Sequence, residues 1–199
     1  MGDRPYHHGD LQEALVSAGL ASAAVAGPGA IALRDLAKVV GVSPTAAYRH
    51  FPSLEHLVAA VSQRAREALA RGMRTAMAAV PPAADPRAFA WARLRASGRA
   101  YVEFAVAEPN LFATAFLRCA APPPRNDDPD AWSLLVAALD DLAALGELVP
   151  GERPTSALIA WAAVHGLAGI LTSAAPAGAV PAEVAIDAVL EGVQRSLQA

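Results

Sequence analysis

The stretch Leu33–Phe51, LRDLAKVVGVSPTAAYRHF, constrains the fold more than any other part of the chain. Leu33, Leu36, Ala37 and Val40 recur at helical intervals and so form the apolar stripe of a short helix. Gly41 follows, where a left-handed backbone ends a helix at little steric cost. Ser43 then offers a capping hydroxyl and Pro44 a preset first helical residue, so a second helix opens there. It carries Thr45, Ala46, Ala47, Tyr48, Arg49 and His50 and is stopped by Phe51-Pro52. Two short helices joined by a glycine-containing turn make a helix-turn-helix. The small, polar and basic groups of the second helix suit a helix lying in the DNA major groove. An ordinary pair of packed helices would also show the stripe, but the turn, both caps and the polar face together favour DNA binding.

With 199 residues, 54% of them hydrophobic and many of those alanine, the chain suits an all-α fold with a full core. The single cysteine, Cys119, excludes an internal disulfide and a multi-thiol metal site, and fits a reducing, cytoplasmic compartment. The polar start MGDRPYHHGD carries no signal-peptide pattern. The net charge of −3 is unevenly placed: residues 1–53 balance to zero and residues 54–199 carry all of it. A neutral head is compatible with specific readout of DNA but not with strong non-specific binding.

Along the chain, Asp10-Leu11-Gln12-Glu13 reads as a capping box for a first helix from Leu11 to about Ala26, ended by Gly27-Pro28-Gly29. Ser53 opens a fourth helix that runs toward Val80, roughly 40 Å at ~1.5 Å per residue, and buries Leu57, Val58, Val61, Ala65, Ala68 and Leu69. Asp85-Pro86 opens a fifth, aromatic-rich helix to about Ala107, and Pro109 a short sixth. A proline-rich loop follows Cys119, and then a helix from about Asp130 to Leu145 with Trp132, Leu135, Val136, Leu139 and Leu142 inward. Thr155 to Ala182 has no formal charge and is long enough to cross a bilayer. Its alanine content, His165, Gly166 and the lack of flanking lysines and aromatics argue instead for a helix packed between helices or subunits, with no membrane. The last helix, opened by Pro181, shows a stripe of Val184, Ala185, Ala188, Val189, Val193 and Leu197.

The three-helix head, the string GVSPTAAYRHFPS running into a long helix, and the all-helical remainder resemble the TetR family of transcriptional regulators. HHGDL, AYVEFAVAEPNLF and WAAVHGL are similar to the subgroup of that family whose C-terminal ligand-binding domain is of the WHG type. The resemblance implies a helix-turn-helix DNA-binding domain over 1–53 and a ligand-binding and dimerisation domain over 54–199. It implies a homodimer on an inverted-repeat, double-stranded operator, whose heads change spacing when a small-molecule effector binds. It also implies base or phosphate contacts at Thr45, Tyr48 and His50, with Arg34 and Lys38 flanking the backbone. Two positions depart from the family pattern: Leu54 stands where a phosphate-contacting lysine is usual, and Ala32 where a capping Ser or Thr is usual.

The expected DNA-binding set is therefore Arg4, Arg34, Lys38, Ser43, Pro44, Thr45, Tyr48, Arg49 and His50. Tyr48 has a second reading as a closing residue of the head's core, and Arg49 as the partner of a surface pair with Glu55. Bulky rings among many alanines favour a cavity, so Trp91, Tyr101, Phe104, Phe112, Phe116, Trp132 and His165 are the expected ligand set. Trp161 and His165 share a helix face, either on a ligand or in a packed interface with the histidine hydrogen-bonded; Gly166 and Gly169 favour the interface. The expected dimer set is Trp161, Gly166, Val189 and Val193. No nucleophile-base pair and no metal spacing stands out, so neither catalysis nor a cofactor is expected. The reading is a ligand-responsive regulator, a repressor released by an apolar or aromatic molecule; the alternative is a helical small-molecule binder with weak or lost DNA affinity.

Overall fold

The computed structural model describes residues 8–149, 153–173 and 180–198, and these are overwhelmingly helical, with a single bridge between Leu148 and Gln198 and no strand among them. The helices are α1 (His8–Ala26), α2 (Leu33–Val40), α3 (Pro44–His50), α4 (Leu54–Ala78), α5 (Pro86–Ala107), α6 (Pro109–Ala115), α7 (Ala131–Ala144), α8 (Arg153–Thr172) and α9 (Ala182–Leu197). Local chemistry sets most boundaries. Gly41 closes α2 at φ 80°, and the Ser43 hydroxyl accepts from the Ala46 N–H at 3.2 Å to open α3. Asp85 caps α5 at the Arg87 N–H (3.0 Å), Asp130 caps α7 at the Ser133 N–H (2.8 Å), and Gly146 stands beyond α7 at φ 70°. Ala32 leaves α2 without a side-chain cap. One boundary differs from expectation. Helix α1 begins at His8, so Asp10 sits inside its first turn and is not an N-cap.

The described residues pack as two compact units, the first running to Glu67 and including Glu108–Asp127, the second comprising Ala68–Ala107 and the chain from Asp128 onward. In the first, Leu15 and Val16 of α1, Leu33, Leu36 and Ala37 of α2, Ala47 of α3 and Leu57 and Val61 of α4 close one core. Gly19 lets α1 and α4 approach there: a Cβ on it would lie 2.7 Å from Val61 Cγ2. Helix α6 is held in this unit at both ends. The Asn110 side-chain amide donates to the carbonyls of Ala24 and Val25 at 3.0 Å each, occupying acceptors left open at the C-terminus of α1. The Ala115 carbonyl accepts from Ser62 at 3.3 Å and from Arg66 at 2.9 Å.

The second unit is a bundle in which α5 meets α7, α8 and α9. Its core stripe on α9 is Ile186, Leu190, Val193 and Leu197. Val184 and Ala188, expected on that stripe, are exposed, because α9 is apolar on a second side as well. Trp132 also departs from expectation: it is 41% exposed, while Leu134, Leu135, Ala138, Leu139 and Leu142 form the buried side of α7. Helix α8 is apolar enough over Pro154–Thr172 to cross a membrane by length and composition alone. Ala157, Ala160, Val164, Leu167 and Ala168 are nevertheless buried within the unit, and Leu158, Ile159 and Ile170 are exposed.

Candidate functional site

The α2–α3 pair presents a largely polar surface, with Val39 of α2 also exposed. Ala47 is the residue of α3 fully withdrawn into the core, so its neighbours on the helix point elsewhere. Ser43, Pro44, Thr45, Tyr48 and Arg49 are exposed, as are Arg34 and Lys38 on α2, and His50 is half-buried. At 43% exposure Tyr48 does not close the core. Arg49 makes no ion pair with Glu55 among the described residues. Arg4 lies outside the described residues. Leu54 is 39% exposed at the first turn of α4.

The second unit contains a cavity whose free space, mouth included, is about 470 Å³. It is a narrow, apolar slot. Helix α5 supplies Trp91, Leu94, Arg95, Ser97, Gly98 and Tyr101. Facing it are Trp161 and Val164 of α8, Leu190, Val193 and Gln194 of α9, with Ala131 and Leu135 of α7 and Met73 of α4. Gly98 sets the width on one side, since a Cβ there would meet Leu190 Cδ2 at 2.6 Å and Val164 Cγ1 at 3.4 Å.

Of the expected ligand set, Trp91 and Tyr101 line the slot. His165 joins them indirectly, its Nδ1 lying 2.7 Å from the Tyr101 hydroxyl and its ring stacked on Trp161 at 11°. Trp132 packs edge-on to Trp161 at 5.5 Å from the α7 side. Phe104 is half-buried and not part of the lining. Phe112 and Phe116 pair with each other at 5.0 Å in the first unit, on and just beyond α6, and do not join the slot. Trp161 and Val193, expected at a subunit interface, both line it. Gly166 is exposed, and a Cβ added to it would meet nothing within 4 Å. Leu94, Gly98, Val164 and Leu190 were not legible as site residues; the one hint was Gly98, a glycine that a mid-helix position tolerates at ~1 kcal/mol relative to alanine.

A family model described as "Bacterial regulatory proteins, tetR family" matches residues 15–61, and one described as "Tetracyclin repressor-like, C-terminal domain" matches residues 94–193, which include Trp161, His165 and Gly166. The chain belongs to the TetR family. TetR-family regulators are ligand-responsive transcription regulators that bind DNA operators, act without catalysis as a rule, and generally dimerise as soluble cytoplasmic proteins. This TetR-family chain is similar over 99% of its length to all of a protein of unknown function from Rhodococcus sp. RHA1, at 26% identity and a TM-score of 0.80. It also shares its fold with a tetR-family regulatory protein from Rhodococcus RHA1, at 18% identity, 94% and 96% coverage and a TM-score of 0.63. The structure of RolR with its ligand resorcinol is similar too, at 13% identity, covering 94% of this chain and 86% of that one with a TM-score of 0.65. No curated protein matches.

Proposed function

We propose that this chain is a cytoplasmic, sequence-specific repressor that leaves its operator when a small apolar or aromatic molecule enters the slot of the second unit. The observation that carries DNA binding is the exposure of Thr45, Tyr48 and Arg49 on a helix whose only fully buried residue is Ala47. Residues 1–53 act as the DNA-binding domain, with Arg34 and Lys38 on phosphates and Thr45, Tyr48 and His50 on bases or phosphates. Residues 54–199 bind ligand and dimerise. Leu158 (61% exposed), Ile159, Ile170 and Val184 (55%) supply apolar surface for a second copy, around Gly166 and Val189, in place of a membrane. RolR, a protein of the same fold, is solved with a small aromatic ligand, which supports the ligand class.

Leu54 favours a second reading, a small-molecule binder with weak DNA affinity. A gel shift with DNA flanking the chain's own gene separates the two. The repressor reading expects a discrete complex that an unrelated duplex does not compete away, and no complex in the presence of the effector. A folded dimer that binds both duplexes alike would leave only the second reading.

A further inference from the structure

We infer that the part of the effector entering the slot is an uncharged hydrocarbon or aryl body without a hydrogen-bonding group. The inference rests on the ligand-binding reading above and narrows it. A cavity selects polar ligands by offering a donor or acceptor that needs a partner, and here the polar groups of Trp91, Ser97, Tyr101 and Arg95 already hold partners. The Trp91 indole N–H donates to Glu147 Oε2 at 2.9 Å, and Glu147 is itself held by Arg87 at 3.2 Å. The Ser97 hydroxyl donates to the Leu94 carbonyl at 2.9 Å. The Tyr101 hydroxyl is engaged with His165 at 2.7 Å, and burial pushes its phenol well above the ordinary range, so no phenolate forms to attract a cation. Arg95 pairs with Asp187 at 3.2 Å, and Asp187 also takes Arg99 at 2.6 Å, so an anionic ligand would compete with a carboxylate already in place. Gln194 has no side-chain hydrogen bond in the described residues, and it is half-exposed, where a polar group keeps its hydration.

A carboxylate carried into this slot loses its water without gaining a free donor from these groups, and a hydroxyl finds only an acceptor that is already engaged. Selection is then by shape, in a slot that the missing Cβ of Gly98 keeps open on the α5 side.

The test uses the full-length protein and three aryl probes of comparable size: ethylbenzene, benzyl alcohol and phenylacetate. Binding is read from the fluorescence of Trp91 and Trp161 and from release of operator DNA. Ethylbenzene should bind about 10- to 100-fold more tightly than either polar probe. In Tyr101→Phe the preference for ethylbenzene over benzyl alcohol should persist, because the hydroxyl is engaged with His165 and not with the ligand. A polar probe that binds as tightly as ethylbenzene, or one whose advantage disappears in Tyr101→Phe or Gln194→Leu, would overturn the inference while leaving ligand response intact. If none of the three perturbs fluorescence or operator binding, the ligand-responsive reading falls and the inference with it.

Discussion

Single side chains decide how tightly the head holds DNA. Arg34, Lys38 and Arg49 are the exposed cations of the α2–α3 surface, so these few side chains set the salt dependence of each head. Leu54→Lys adds a cation at the first turn of α4. It should tighten binding to every sequence alike and steepen the slope of log K against log salt by about 1 per head, as read by anisotropy titrations at several salt concentrations. Unchanged slope would place residue 54 away from the phosphates. Thr45→Ala should instead act on specific sites, costing roughly 1–3 kcal/mol where a base contact is lost and little on unrelated DNA.

The two tight glycines give a contrast that depends on the neighbour and not on the distance. At Gly19 the obstructing atom is Val61 Cγ2, on a β-branched side chain fixed in its helical rotamer; at Gly98 it is the far end of Leu190, which can swing. Alanine in mid-helix gains about 1 kcal/mol over glycine, against an overpacking cost of about 1–3 kcal/mol where the neighbour cannot move. Gly19→Ala should therefore be destabilising by up to about 2 kcal/mol and Gly98→Ala close to neutral, measured as shifts in urea midpoints. Equal effects would show that Val61 relaxes as freely as Leu190.

Between elements, α1 and α4 are tied by a bidentate pair, Arg64 Nη1 and Nη2 to the two Glu13 oxygens at 2.7 Å each. The hydrogen bonds from Arg64 hold the Glu13 carboxyl below its ordinary 4.5. A depressed carboxylate contributes stability that is present above that ordinary value and is lost as pH falls through the folded one. Both side chains are substantially solvent-exposed, so the contribution is below about 1 kcal/mol. Glu13→Gln should lower stability by that small amount at about pH 7 and by nothing near pH 2, in urea unfolding at both. A gap that persists in acid would mean that the pair's charge is not its contribution.

The helix-turn-helix was legible because its determinants are local: Gly41 with φ 80°, the Ser43 hydroxyl and Pro44 each act within a turn of where they stand. The start of α1 was not, since His8-Gly9-Asp10 is polar enough to read as a cap although the helix already runs through it. Nor was the slot. Its lining comes from five helices, and the aromatic type of Phe112 or Phe116 does not say which of two cores it will join. Trp132 misled for a related reason: it sits on the edge of the α7 stripe, where a large ring can cover Trp161 while staying 41% exposed.

For the whole molecule, the exposed apolar residues on α8 and α9 make a dimer the expected form, and sedimentation at micromolar concentration should show a dimer. A monomer would leave Leu158, Ile170 and Val184 without a role. Two heads related by a two-fold axis should read half-sites roughly 34 Å, or a multiple, apart. With about three or four ion pairs per head, the salt slope for the dimer should lie near −5 to −7. The most direct test is selection of binding sites from a random duplex library by the wild-type dimer and by Tyr48→Ala, with the helical content of both checked by circular dichroism. The wild type should enrich an inverted repeat, and the folded variant should enrich it weakly or not at all. No enrichment by the wild type, or the same repeat drawn out equally by Tyr48→Ala, would contradict the assignment of α3 as the helix that reads DNA.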